Sequence, residues 1–179
     1  MGDLKRKKHI VKMCLTAMFC AVITFCSWIS FPMPGGVAIT LQIFAVSLCG
    51  CVLGPVWGGA CVAVYILVGA SGFPVFSLLS GGVAQIAGPT GGFLIGFLAL
   101  AVFCGISQRI KKACFGAIIC FLGLVVCHFF GIVWFMVVTN NSFLSSVVIC
   151  SLPYILKDII LVSAAIFTAK IKIIKKLTI

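Results

Sequence analysis

The chain is a succession of long apolar runs separated by short breaks. From Met13 to Gln108 there are 96 consecutive residues without an Asp, Glu, Lys or Arg. A helix that crosses a bilayer needs about 20 apolar residues, so runs of this length read as spans. The breaks fall at Pro32-Met33-Pro34-Gly35-Gly36, Gly54-Pro55, Gly72-Phe73-Pro74, Arg109-Ile110-Lys111-Lys112 and Thr139-Asn140-Asn141-Ser142. Proline interrupts a helix because it lacks the backbone donor, and glycine because fixing it costs entropy. The pattern predicts six spans at about 11–30, 40–53, 56–72, 90–108, 114–138 and 147–170. Seven would leave loops of about three residues, which is tight for a bundle. The segment 73–89 is too broken to span and reads as a long outer loop or a partly re-entrant element. Such backbone survives at membrane depth only when buried in protein or facing water.

Composition removes the soluble alternative. Of 179 residues, 63% are hydrophobic and 8% charged, against ~25% charged in a typical soluble domain. Mean hydropathy is +1.35. The chain has too few polar groups to cover a surface in water, which makes it an all-α integral membrane protein. Thirteen Lys and Arg against two acids give a formal charge of +11. A nucleic-acid footprint would be a basic stripe on a polar face. Here the cations form short clusters between apolar runs, so nucleic acid is excluded as a partner.

The clusters set the orientation. Lys5, Arg6, Lys7, Lys8 and Lys12 precede or open the first span, Arg109, Lys111 and Lys112 follow the fourth, and Lys170, Lys172, Lys175 and Lys176 end or follow the sixth. With six spans all three lie on one face, and the positive-inside rule places both termini in the cytoplasm. The chain reads as one membrane domain, 1–179, with basic cytoplasmic ends at 1–12 and 171–179. The first run is longer than a secretory h-region and no Ala-x-Ala-like site follows it, so it reads as an uncleaved helix.

Eleven cysteines all fall within the predicted spans, with no C-x-x-C among them. Cys49 and Cys51 would turn about 200° from each other on a helix. The thiols therefore read as small hydrophobes, not as metal ligands or disulfides. His128 stands alone in the fifth span, where its cost points either to a satisfied packing position or to a cavity or interhelical hydrogen bond. Asn140-Asn141-Ser142 matches a glycosylation sequon, a weak signal by itself. Small residues recur at four-residue spacing at Gly50, Gly54 and Gly58, at Gly88, Gly92 and Gly96, and at Ala17 and Ala21. They allow backbones to approach closely. For the glycines this reads as packing within the chain, while Ala17 and Ala21 leave a partner protein open.

Asp158 is the only acid after residue 3. Counting inward to Lys170, it lies about 18 Å above the inner boundary, in the outer half of the membrane. A charge at that depth costs at least ~2.5–3.5 kcal/mol. It is either an internal ion pair or a group facing an outward cavity, and the second reading is favoured. Adjacent helical residues diverge by about 100°, so a direct pair with Lys157 looks awkward. Thr40, Gln42, Tyr65, Gln85 and Thr90 supply polar groups that would converge on such a cavity, with Ser77 and Ser80 read as wetting its outer rim. An apolar wall with a few aimed polar groups is what a small-molecule pocket needs. There is no nucleophile–base pair, metal cluster or Walker motif in the pattern, so no enzyme activity and no cofactor is expected.

Several stretches resemble one family. They are Thr40-Leu41-Gln42 followed by an apolar run and Gly54-Pro55; Tyr65-Ile66-Leu67-Val68-Gly69-Ala70-Ser71-Gly72-Phe73-Pro74-Val75-Phe76; Gly88-Pro89-Thr90-Gly91-Gly92-Phe93-Leu94-Ile95-Gly96-Phe97; and Pro153 to Asp158. They are similar to BioY proteins, the biotin-specific substrate-binding (S) components of energy-coupling factor (ECF) transporters, over about residues 10–170. The resemblance implies a six-helix bundle in a bacterial cytoplasmic membrane, with biotin bound near the outer face. It implies partners as well: a transmembrane T component and two cytoplasmic ATPases, besides membrane lipids. Ala17-Met18-Phe19-Cys20-Ala21 matches the first-helix Ala-x-x-x-Ala face that contacts the T component in related proteins. The alternatives are an S component for another small vitamin, or a non-transporting membrane scaffold.

Asp158 would accept hydrogen bonds from the ureido N–H groups of biotin, and Lys157 would neutralise its carboxylate or orient Asp158. Gly88, Gly91 and Gly92 would let backbone approach the ligand. The substrate-binding candidates are thus Asp158, Lys157, Thr40, Gln42, Tyr65, Gln85, Thr90 and Gly91. Two departures stand out. Ala38 occupies a position where the family usually has Pro. Leu161 stands where it usually has Lys, while Lys157 lies one turn outward on nearly the same face.

Overall fold

The computed structural model describes residues 2–33 and 35–171. Lys172, Lys175 and Lys176 of the third cationic cluster, and Pro34 of the first break, lie outside the described residues. The apolar runs form α1 (Gly2–Trp28), α2 (Gln42–Ala70), α3 (Val83–Ala87), α4 (Gly91–Ser107), α5 (Ala113–Thr139), α6 (Phe143–Cys150) and α7 (Leu152–Ala169). Among the described residues, His9–Trp28, Ala113–Thr139 and Leu152–Ala169 are long and apolar enough to cross a membrane, as is Gln42–Ala70 when counted end to end, and Gly91–Ser107 is a shorter apolar helix. The outer faces carry bare hydrophobic side chains such as Phe25, Leu67, Leu156 and Phe167. Lipid covers such a surface where water would not. The chain is a multi-pass membrane protein.

The break at Gly54-Pro55 is a full reversal. Gly54 has φ 81° and ψ 176°, a conformation that in practice only glycine adopts. Pro55 then starts the next arm, where its missing N–H costs nothing. On one straight helix Gln42 and Tyr65 would be about 35 Å apart. Instead the Gln42 side-chain amide donates to the Tyr65 hydroxyl at 2.8 Å. Element α2 is therefore a hairpin of two arms, 42–53 and 55–70. A Cβ placed on Gly58 would stand 2.9 Å from the Gly50 Cα, and one on Gly50 would strike the Ala101 carbonyl. The two glycines let both arms and α4 meet backbone to backbone, as packing without a hydrophobic drive requires.

Helix α4 lies between α2 and α5, with α1 on the far side of α2 and α7 across α2 and α5. Gly92 and Gly96 press against α5, where an added Cβ would strike Phe130, Trp134 and Cys127. Gly105 packs on Pro55, and the His9 ring meets Trp57 edge-on at 4.9 Å. These contacts bring the N-terminal part of α1, the α2 reversal and the Arg109–Lys112 turn to one end of the bundle.

Two features differ from the sequence expectation. Between α1 and α2 the chain forms two short strands, β1 (Ser30–Phe31) and β2 (Ile39–Thr40), paired antiparallel with Ser30 opposite Thr40. Strands this short carry no periodic signal. The sixth predicted span, 147–170, is divided at Ser151, which has φ −124° and ψ −51°. Pro153 explains the division, because continuing α6 through it would drive its ring into the carbonyl four residues back. The Asn140-Asn141-Ser142 segment is a helix junction. Asn140 closes α5 in the left-handed conformation, and Ser142 caps α6 by accepting from the Ser145 N–H at 3.3 Å.

The predicted loop 73–89 folds into a 3-10 turn at Ser77–Leu79 and the short helix α3. Side chains pin it down. The Ser27 hydroxyl donates to the Val75 carbonyl at 2.6 Å, the Trp28 indole to the Pro74 carbonyl at 2.8 Å, and the Tyr65 hydroxyl to the Val75 carbonyl at 2.9 Å. Each bond satisfies a backbone carbonyl that the loop could not satisfy alone.

Candidate functional site

Helix α7 buries one stripe: Tyr154, Asp158, Val162, Ala165 and Ala169. The spacing follows the 3.6-residue period, so the only acid after residue 3 lies on the face turned into the protein. Asp158 is 2% exposed. A lone carboxylate there would be prohibitive. It is held by two groups. The His128 Nε2 on α5 is 3.2 Å from Oδ2, and the Lys157 ammonium is 2.5 Å from Oδ1. The direct Lys157 pair corrects the expectation from helical angles: backbone directions diverge, but the long lysine stem curls back. Lys157 also donates to the Thr40 carbonyl at 3.0 Å, tying α7 to β2.

Beside Asp158 lies a small, partly enclosed cavity of about 50 Å³. Its lining combines an apolar wall with a few convergent polar groups, the make-up of a small-molecule site. Its polar groups are Thr40, Gln42, Ser77, Gln85, Thr90, Tyr154, Lys157 and Asp158. Its apolar wall includes Ile43, Phe76, Phe93, Leu94 and Phe97. It sits at the end of the bundle opposite the α2 reversal, where β2 and the pinned loop close over it.

Six of the eight predicted binding residues, Asp158, Lys157, Thr40, Gln42, Gln85 and Thr90, line this cavity. The other two stand behind its wall. Tyr65 accepts from Gln42, donates to Val75 and meets the Phe76 ring edge-on at 5.5 Å. It thereby fixes two lining side chains without lining the cavity itself. Gly91 opens α4 in a space where an added Cβ would strike the Ile86 carbonyl. Its smallness serves the packing of the turn, which the Trp134 indole secures by donating to the Gly88 carbonyl at 3.0 Å.

Sequence reasoning missed the contribution of Tyr154, whose hydroxyl donates to the Val37 carbonyl. It also left His128 between packing and a hydrogen bond. The ring makes interhelical contacts on both sides, with Ser151 Oγ 2.9 Å from Nδ1. The cysteines are free and mostly pack in the core. Cys51, Cys104 and Cys120 nevertheless bring their sulfurs within 4.8 Å of one another from three different helices. Among the described residues this is the one grouping with the soft donors a metal ion would need, and it lies apart from the cavity. Ala17 and Ala21 lie exposed on α1.

The architecture defines a class: a multi-pass helical membrane protein that holds a partly enclosed, polar-apolar cavity for a small solute. The chain belongs to the BioY family, whose model matches residues 4–177. It is 35% identical over 158 residues to a probable biotin transporter BioY of Pyrococcus horikoshii, covering 87% of this chain and 92% of that protein. It is 44% identical over 96 residues to the biotin transporter BioY of Thermotoga maritima, covering 54% and 56% respectively. Its fold is similar to a crystal structure of the S-component for biotin from an ECF-type ABC transporter. The TM-score is 0.82 at 25% identity, covering 99% of this chain and 93% of the other.

Proposed function

We propose that this chain is the biotin-binding S component of an ECF uptake system in a bacterial cytoplasmic membrane. The observation that carries the reading is the Asp158–Lys157 pair in the wall of the outer cavity. Biotin presents two ureido N–H donors, an apolar thioether ring and a carboxylate tail. Asp158 accepts from the ureido group, a charged hydrogen bond worth about 1.5–3 kcal/mol. Phe93, Leu94 and Phe97 take the ring. Lys157 neutralises the tail or orients Asp158, and Thr40, Gln42, Gln85 and Thr90 complete the polar contacts. The protein binds and delivers its ligand without transforming it, so it is not an enzyme and needs no cofactor.

The working form is a single membrane domain, 1–179, with six crossings. The hairpin in α2 supports this count, because its two arms supply the second and third crossings. An even count keeps the cationic clusters together and puts both termini in the cytoplasm. Energy comes from a T component and two ATPases, and the exposed Ala17 and Ala21 on α1 suit the T-component contact. The experiment is native mass spectrometry of the purified protein. Biotin, and no other vitamin, is expected to co-purify; a different bound vitamin would overturn the assignment.

A further inference from the structure

Asp158 has a second neighbour that the proposed biotin contacts do not use. His128 is 4% exposed and stands between two cavities. On one side its Nε2 reaches Asp158 Oδ2 at 3.2 Å. The Phe93 ring, which lines the site, meets the imidazole edge-on at 5.8 Å. On the other side Nδ1 is 2.9 Å from Ser151 Oγ. His128 and Ser151 also form the polar floor of a separate, largely apolar cavity of about 600 Å³, walled by Phe121, Phe129, Ile155 and Ile159. Asp158 does not line that second cavity. The imidazole is thus the partition behind the carboxylate.

Nε2 lies close to Oδ2 without the geometry of a regular hydrogen bond. On its far side the ring shares a hydrogen bond between Nδ1 and Ser151 Oγ. Ser151 is itself the break between α6 and α7, so the position of the ring is coupled to the start of the helix that carries Asp158. Oδ1 pairs with Lys157 by charge but makes no hydrogen bond of regular geometry within the protein. Oδ1 is thus shut inside the protein, while the His128 ring stands against Oδ2.

We propose that His128 is the positioning residue of the site: its Nε2, 3.2 Å from Oδ2, braces the Asp158 carboxylate against the cavity it lines, so that Asp158 selects a ligand with N–H donors. This rests on the biotin reading above. A ligand whose ring offers only acceptors would meet an acceptor and leave it unpaired. Discrimination of that kind is stronger than a pocket of matching shape alone provides.

The test is a double-mutant cycle read by biotin titration calorimetry on the full chain in nanodiscs. The variants are His128→Phe, His128→Gln, Asp158→Asn and the double variant His128→Phe/Asp158→Asn. Wild type binding biotin establishes the underlying reading; its failure to bind refutes that reading, and the His128 role with it. If His128 acts through Asp158, His128→Phe weakens binding about tenfold or more, the scale of one hydrogen bond to a charged group. In the Asp158→Asn background the same change costs less than about threefold, because coupled residues are not additive. His128→Gln, which restores a side-chain donor, recovers most of the loss and also serves if the phenylalanine variant does not fold. Two results overturn the proposal while wild type binds: equal penalties for His128→Phe in both backgrounds, or a His128→Gln protein that folds but binds no better than His128→Phe.

Discussion

The position of Lys157 makes a quantitative test of the site. Replacing it with Met keeps the apolar stem and removes the ammonium. In the structure that ammonium contacts the Thr40 carbonyl at 3.0 Å and Asp158 Oδ1 at 2.5 Å, with the lysine side chain 24% exposed. Removing one partner of a fully buried pair costs about 3–5 kcal/mol. Partial exposure of the lysine, and the His128 contact that stays with Asp158, lower that figure. The expected loss of stability is therefore about 1–3 kcal/mol. Biotin affinity should fall about tenfold to a hundredfold, since 1.4 kcal/mol is a factor of ten.

A second variant separates the charge from its address. Residue 161 lies one turn further along α7 and about 40° round, and it is where the BioY resemblance leads one to expect the cation. The swap Lys157→Leu/Leu161→Lys moves the charge by an offset that a lysine stem can span. Calorimetric titration in nanodiscs should show the swap regaining most of the affinity lost in Lys157→Met. Wild-type affinity in Lys157→Met would refute the reasoning. So would a swapped protein of wild-type thermal stability that still fails to bind.

Other changes should separate packing from binding. Tyr65→Phe removes the hydroxyl joining Gln42 to Val75; it should cost about 1–3 kcal/mol by leaving buried groups unpaired, seen as a lower Tm, with biotin affinity weakened only severalfold. Gly92→Val puts a branched side chain into the Phe130 carbonyl and Trp134. Overpacking of this kind costs about 1–3 kcal/mol or more, so monodisperse protein in detergent should fall sharply. Ala17→Trp/Ala21→Trp enlarges an exposed face of α1 and should abolish co-purification with the T component and ATPases while leaving biotin binding intact. Loss of binding in that variant would show that the face serves the fold.

What the sequence made legible follows from the range of each interaction. The reversal at Gly54-Pro55 and the turn at Arg109–Lys112 are written in the residues that make them. Asp158 was conspicuous because the cost of a charge in lipid depends on depth, which can be counted along a helix. The division at Ser151 was missed although Pro153 signals it locally, because an apolar run on both sides masks a single proline. Contacts between helices were beyond reach. No spacing says that α5 lies against α7, and so none could show that His128 and Ser151 form a line behind Asp158. For the same reason residue type alone does not separate Tyr65 and Gly91 from the side chains that line the cavity. Each lies one layer behind the wall, a distinction that exists only in three dimensions.

The central claim is that the outer cavity binds biotin through Asp158. Equilibrium titration of the purified full chain in nanodiscs, wild type beside Asp158→Ala, tests it most directly. The account predicts saturable binding of biotin that other vitamins do not displace, and a loss of about tenfold or more in the variant, the scale of a hydrogen bond to a charged group. No saturable binding by the wild type, or equal affinity in a folded Asp158→Ala protein, would contradict it.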